Sequence, residues 1–340
     1  MDPFQVQLAD AVDAALSRTS DVQAELAAIG VPELSLPERL GGFGLGLSAD
    51  IIVNVQLGRG LVPLAAHRET MLALELAAAD RLPDSLVKQV IKGTAHAVTI
   101  GVHCAPTLRA DDENRLWGES EYLPDCEVSL AVVRAVAQGG DHRWYVVRPD
   151  PGTSSSRGSA LLGLPGRRLQ FSGAPAAPAT PDDGQLRRSL DAARIRQAAL
   201  LLGVADRAVD TARGHVNRRI QFGRPLVELQ TVAHRLAQLV GAADGWRLLL
   251  HEAAWRHDLG RDCAAHAAQV LAAATEHVLR CTRLAIQLHG VRGMLAHSTV
   301  ATAYRIASVE GSRMGTAPRL WREAGEAHLA ASSPAPGLAE

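Results

Sequence analysis

The densest run of chemically capable side chains is Arg218-Arg219-Ile220-Gln221-Phe222-Gly223-Arg224-Pro225, continued by Leu226-Val227-Glu228-Leu229-Gln230. Arginine forks match the geometry of phosphate oxygens. Phe222 adds a flat apolar surface and Gln230 an amide. The plain alternative is a corner between two helices with solvated arginines. His215, just upstream, reads as a helix-surface residue. Elsewhere the signals are thin. His103-Cys104 and the pair His251 and His257 bring no third ligand at a recognised spacing, and H-E-x-x-H is absent, so no metal site is expected. There is no G-x-S-x-G elbow for a nucleophilic serine. The glycines of Gly41-Gly42-Phe43-Gly44 follow no strand pattern and lack G-x-G-x-x-G, so they do not read as a phosphate cradle.

Two long helical patterns meet at the arginine-rich corner. Upstream, Leu190, Ala193, Leu201, Ala205, Ala208 and Ala212 recur at three- and four-residue steps; downstream, Leu226, Leu229, Ala233, Leu236 and Val240 do the same. Gly223 is expected to end the first helix and Pro225 to open the second. Before that corner the periodicity changes twice. Residues 1–94 read as helices, with Thr19-Ser20-Asp21 as one cap and turn-rich breaks at 36–45 and 58–63. Residues 95–184 show short apolar runs at 97–102, 128–133, 144–147 and 168–171, separated by glycine, proline and aspartate, as in a small β domain. Gly139-Gly140-Asp141 suits a hairpin turn, 152–159 reads as a mobile polar loop, and 174–183 as a linker. Residues 185–331 return to helices, including 263–289, 301–309 and 317–330, and 332–340 form a tail.

The 340 residues carry a formal net charge of -1, which gives no pull toward nucleic acid or an anionic membrane. Cys104, Cys126, Cys263 and Cys281 are far apart and read as buried thiols in a reducing compartment. With no signal-peptide pattern and no apolar run long enough for a bilayer, the expected location is the cytoplasm.

The run R-x-Q-F-G-x-P-x-x-x-x-Q resembles the flavin-binding signature of acyl-CoA dehydrogenases. A second run, Gln287-Leu288-His289-Gly290-Val291-Arg292-Gly293, is similar to that family's Q-x-x-G-G-x-G, with Val291 in place of the middle glycine. The segments P-E-R-L-G-G-F-G and L-G-R-G-L-V-P also look like family markers of structural role. The resemblance implies an α+β, mostly α fold: an N-terminal helical domain, a small middle β domain and a C-terminal four-helix bundle. It implies FAD as cofactor, with Arg219, Phe222, Gln230, Gln287, Gly290, Gly293 and Thr316 as cofactor-binding positions at an interface between subunits.

The same resemblance exposes a gap. Members of the family remove an α-proton from an acyl thioester with a glutamate while a hydride passes from the β-carbon to the flavin. The two places where that glutamate stands correspond here to Met314 and Ala193, and neither side chain accepts a proton. Asp191 and Glu310 lie near them in sequence and read as solvated carboxylates; either could be recruited, and Glu310 is the one named as candidate base. The resemblance therefore implies a subunit acting on acyl-CoA or an acyl-carrier thioester. Its implied partner is a homologous chain that supplies the base, in a heterotetramer or other oligomer, with electron-transfer flavoprotein as a further partner. A fold-sharing subunit without flavin, and a tailoring flavoenzyme with different chemistry, remain open at this stage.

Overall fold

The computed structural model describes residues 3–18, 22–36, 38–62, 66–77, 84–102 and 104–332. The expected cap at Thr19-Ser20-Asp21, His103 and the tail from 333 lie outside these residues. Helices α1 (Pro3–Arg18), α2 (Val22–Ala28), α3 (Val31–Ser35), α4 (Leu47–Arg59), α5 (Ala66–Leu76) and α6 (Asp84–Ile91) come first. Strands β1 (His96–Ile100), β2 (Arg109–Ala110), β3 (Arg115–Glu119), β4 (Val128–Ala137), β5 (His142–Val147), β6 (Ser154–Leu161), β7 (Leu164–Pro175) and β8 (Ala177–Ala179) follow. The chain then returns to helices: α7 (Asp183–Arg218), α8 (Gln230–Asp258), α9 (Ala264–His289), α10 (Thr299–Glu310) and α11 (Ala317–Ser332). Both changes of period seen in the sequence mark real changes of structure.

The long helices share one core. Apolar residues of α1–α4 pack with those of α7–α11, including Val53, Leu57, Leu200, Leu201, Val204, Leu271 and Ile306. Helices α4 and α7 approach so closely that only glycine fits where they cross. A Cβ on Gly58 would lie 2.1 Å from the Leu200 carbonyl oxygen, and one on Gly203 would lie 2.0 Å from that of Val55. The L-G-R-G segment is thus a packing device. Asp258, the last residue of α8, caps α4 from across the molecule: the backbone N–H groups of Leu47 and Ser48 donate to its carboxylate at 2.6 and 2.9 Å.

Strand β4 organises the sheet. Its first half pairs in parallel with β1, its end in parallel with β2, and its other edge antiparallel with β5. The chain between β1 and β2 must therefore leave the sheet and return to the same edge. Gly101, at φ 72°, begins that excursion, where a Cβ would lie 2.4 Å from the Arg134 carbonyl oxygen. Helices α5 and α6 cover one face of the sheet through Leu72, Leu76, Leu86, Val90, Ala97, Leu130 and Val132.

Several expectations are corrected. The segment 152–159 is largely strand β6, paired along its length with β7, so backbone pairing holds a stretch whose side chains are polar. Half of the supposed linker at 174–183 belongs to the sheet: β7 runs to Pro175 and β8 pairs with β5. Gly223 does not end α7. That helix stops at Arg218 with Arg219 as its cap, and a small hairpin follows, β9 (Ile220–Gln221) against β10 (Arg224–Pro225). Phe222 (φ 55°) and Gly223 (φ 77°) form its turn, the left-handed pair that the twist of a tight hairpin requires. Pro225 lies in β10; a short 3-10 turn at Leu226–Glu228 follows and α8 begins at Gln230. Among the cysteines only Cys263 and Cys281 are buried; Cys104 is exposed and Cys126 half-buried.

Candidate functional site

The predicted site residues fall into two separate regions. The first is the junction where α5, β1, α7 and the end of α10 meet. Met314 and Ala193, the two positions without a base, pack into the same apolar cluster as Leu72, Ala97, Leu130 and Val132. Arg313, next to Met314, donates to Glu69 at 3.1 Å, and Thr99 donates to the other oxygen of Glu69 at 2.6 Å. Arg68 donates to Glu310 at 2.9 Å, and the Gln197 amide donates to the same carboxylate oxygen at 2.9 Å and to the Glu310 carbonyl at 2.7 Å.

Glu310 is therefore no solvated carboxylate; it is fully buried. Burial pushes its carboxyl up, but Arg68, Arg313 and the Gln197 amide outweigh that and hold it below the ordinary glutamate range. A carboxylate so stabilised is a weak base and is fixed in place. Asp191 is also buried, at 5% exposure. Here desolvation prevails over Arg194 and His257 and raises the pKa to about 6. That value would suit a base. Asp191, however, sits among Arg194, His257 and Asp262, toward the end of α8 and the start of α9, away from the cluster that holds Met314. A neighbouring buried set joins α4, α5 and α7: Asp50 contacts His67 at 2.9 Å and accepts from Arg196, which also donates to Glu75 at 2.6 Å.

The second region is the far end of the bundle. From Ala193 to Arg218, α7 advances roughly 37 Å at about 1.5 Å per residue, so the two regions lie farther apart than one dinucleotide reaches. Arg219 is exposed at the end of α7; its N–H donates to the His215 carbonyl, and its own carbonyl accepts from Leu226 N–H at 2.9 Å. Phe222 stands at the hairpin tip, 87% exposed. Gln230 opens α8 and Gln287 lies in the last turns of α9, both exposed. The two motifs meet through His215 of α7 and His289 of α9, whose rings stack at 4.2 Å. Gly290, at φ 59°, ends α9 with open space where a Cβ would point. Val291 is 72% exposed. Gly293 is different: it is buried, and a Cβ there would lie 2.8 Å from the Ile286 carbonyl oxygen, so its smallness serves the turn. Thr316 is exposed just before α11, close in sequence to Met314 and apart from the hairpin.

Sequence reasoning missed Arg68, Gln197, Arg313 and Glu69, because charged residues on a helix pattern read as a solvated face. It named His215 and His289 without seeing that they touch. The only available signal was that each stands close to one of the two motifs.

Residues 184–326 match the family model described as acyl-CoA dehydrogenase, C-terminal domain. The human mitochondrial short-chain specific acyl-CoA dehydrogenase is 26% identical over 326 residues, covering 86% of this chain and 78% of that protein. The chain is similar to acyl-CoA dehydrogenases over most of its length, and its C-terminal helices match that family's domain. The (2S)-methylsuccinyl-CoA dehydrogenase of Cereibacter sphaeroides is 24% identical over 79% of this chain and 56% of its own length, so the chain spans little more than half of that relative. Among solved structures, a chain of the ChsE4-ChsE5 complex from Mycobacterium tuberculosis superposes with a TM-score of 0.81 at 22% identity, over 98% of this chain and 99% of that one. For an acyl-CoA dehydrogenase fold, the bundle end fits the diphosphate of FAD: Arg218, Arg219 and Arg292 are exposed there beside the apolar faces of Ile220 and Phe222. The junction fits only in part. It contains no free proton acceptor at either base position, while the buried atoms Arg68 Nε, Gln197 Oε1 and Glu121 Oε2 make no hydrogen bond within the described residues.

Proposed function

We propose that this chain is one subunit of a two-chain, FAD-dependent acyl-thioester dehydrogenase, in which a homologous partner supplies the proton-abstracting carboxylate. The observation that carries this reading is the state of the junction. Met314 and Ala193 are packed apolar side chains, and the carboxylate nearest to Met314 in sequence, Glu310, is buried and held by Arg68 and Gln197. Bound FAD would supply the hydride acceptor. This chain's part is binding: Arg219 would hold a phosphate oxygen, Phe222 and Ile220 would cover apolar surface, and Gln230 and Gln287 would donate at the rim. The distance between the two regions supports a shared cofactor, since a chain that binds the diphosphate at the hairpin must offer it to a junction on another chain.

Assembly has independent support. Helix α8 leaves Val240, Leu248 and Trp255 exposed along one side, next to Gly241 and Gly245, where a methyl group on either glycine would meet nothing within 4 Å. Exposed apolar stripes of this kind mark contact surfaces. The matched chain from Mycobacterium tuberculosis comes from a complex of two named components, ChsE4 and ChsE5, in keeping with a paired arrangement here.

The test is the visible spectrum and activity of the chain co-expressed with its homologue. The expected result is flavin in the complex, released on denaturation, with thioester dehydrogenation lost when the partner's glutamate is removed. Arg219→Ala should weaken flavin retention about tenfold or more, since a charge-assisted phosphate contact is worth roughly 1.5–3 kcal/mol. A flavin-free complex, or turnover by this chain alone, would overturn the proposal.

A further inference from the structure

We infer that the groove between α8 and α9 is a docking site for an acidic helix of a homologous partner chain, and that its arginines select such a partner over a second copy of this chain. The inference rests on the paired-subunit reading for the partner's identity; the chemistry of the groove is this chain's own.

Residues 259–263 alone connect α8 to α9, so the two helices run antiparallel as neighbours. They leave between them an open groove of about 400 Å3. Helix α8 lines it with Arg235, Gln238, Leu239, Ala242 and Trp246, which share one face of that helix. Helix α9 lines it with Ala273, Glu276, His277, Arg280 and Leu284, again one face, and with Arg283 beside them. From Arg235 to Trp246 the axis advances roughly 17 Å, about three helical turns. Two walls of that length and spacing form the kind of seam into which a third helix packs.

The floor is apolar, with Trp246 half-buried among Leu239, Ala242, Ala273 and Leu284. Tryptophan and arginine are the side chains that most often anchor protein contacts. At the rim, Arg235 and Arg283 are exposed and make no ion pair among the described residues. Arg280 has only Glu276, at 3.7 Å, and that carboxylate also accepts from the Trp321 indole at 3.1 Å. Three guanidiniums thus face one carboxylate, in a chain whose formal net charge is -1. The excess is local to the groove. Because the helices are antiparallel, Arg235 stands toward the Arg283 end of α9, and Trp246 toward the other end. The matching surface is an amphipathic helix whose apolar face covers Trp246 and whose carboxylates, three or four residues apart, meet the arginines.

A second copy of this chain is a poor match. In a two-fold pairing each groove meets its own image, so arginines face arginines, and like charges across a contact cost affinity. The groove is also separate from the exposed stripe on α8. At about 3.6 residues per turn, Leu248 and Trp255 project on the opposite side of the helix from Leu239 and Ala242.

Light scattering on the full chain co-expressed with its homologue tests this. The variant is Arg235→Glu with Arg283→Glu; the control is Arg148→Glu, at an exposed position just after β5. The double reversal is expected to weaken association roughly a hundredfold and to lower the mass of the assembly to about half or less. The control should leave the mass unchanged. Added salt should loosen the wild-type assembly and should not loosen what association the variant retains. Circular dichroism checks that each variant is folded, and flavin absorbance is read on the same samples. A double variant that assembles as tightly as wild type would overturn the inference, and would leave the flavin reading standing if flavin is present. An equal loss in Arg148→Glu, or homo-oligomers of the chain alone that the double reversal dissolves, would also overturn it. A charge-dependent complex without flavin would leave the groove standing and sink the flavin reading. No complex between the wild-type chains would sink both.

Discussion

Two buried carboxylates answer to opposite forces. For Asp191 burial outweighs the pull of Arg194 and His257, so its folded pKa rises to about 6 from an unfolded value near 4. Between those values the folded state binds more protons than the unfolded one, so this group's contribution to stability falls as pH rises through the window and stays low above it. Holding the charge at neutral pH costs on the order of 2–3 kcal/mol. Asp191→Asn should recover much of that at neutral pH and little at about pH 4, read as the difference between variant and wild-type denaturation curves. The difference is the right quantity, because His277, which burial lowers to about 4, weakens the fold as pH falls through the same range. Glu310 is the reverse case. Its pKa is depressed, so its stabilisation is present above the unfolded value and lost as pH falls through the folded one. Glu310→Gln leaves Arg68 buried without a counter-charge and should cost roughly 3–5 kcal/mol. Combining it with Arg68→Met should return much of that loss, and chemical denaturation of the three variants checks it.

At the scale of elements, the hairpin carries the plainest sign of selection for something other than stability. A tight turn with two left-handed residues favours Asn-Gly, yet the first position is Phe222, a bulky residue at φ 55° with its ring almost wholly in water. A large side chain in that conformation costs on the order of 1–2 kcal/mol. Phe222→Asn is expected to raise the melting temperature of the isolated chain slightly and to weaken both flavin retention and association with the partner. If the variant gained stability and lost neither, the hairpin would be structural only. The elements around it are rigid by contrast: the reciprocal glycines Gly58 and Gly203 lock α4 to α7, so the hairpin is displayed from a helix that cannot shift along its neighbour.

For the whole molecule, the described residues form two cores and a covered sheet, with the bundle end and one side of α8 left open. No helix among the described residues is long and apolar enough to cross a membrane; the open apolar side of α8 is where the proposed partner would dock. Leu248 is 74% exposed at the middle of the α8 stripe. Leu248→Asp should leave the melting of the chain nearly unchanged and shift the assembly toward smaller species by light scattering. An unchanged mass would mean that α8 faces solvent in the assembly as well.

The sequence by itself determined what depends on near neighbours. The change from a three-to-four-residue period to short apolar runs near residue 95, and back near 185, gave the order of helices and strands because side-chain spacing sets which face each element can bury. The run from Arg219 to Gln230 marked the corner for the same reason, since its turn chemistry lies within a few residues. Strand β6 was illegible because its residues are polar and its partner β7 supplies the order. The state of the junction belonged to tertiary structure alone. Arg68 and Glu310 stand 242 residues apart, and nothing within either helix distinguishes a solvated charge from a buried pair. His215 likewise read as a helix-surface residue, and His289 as one position of a motif, until two helix ends brought their rings together. Whether a charged side chain is a base, a strut or a ligand depends on what lies across from it, and only the folded chain fixes that.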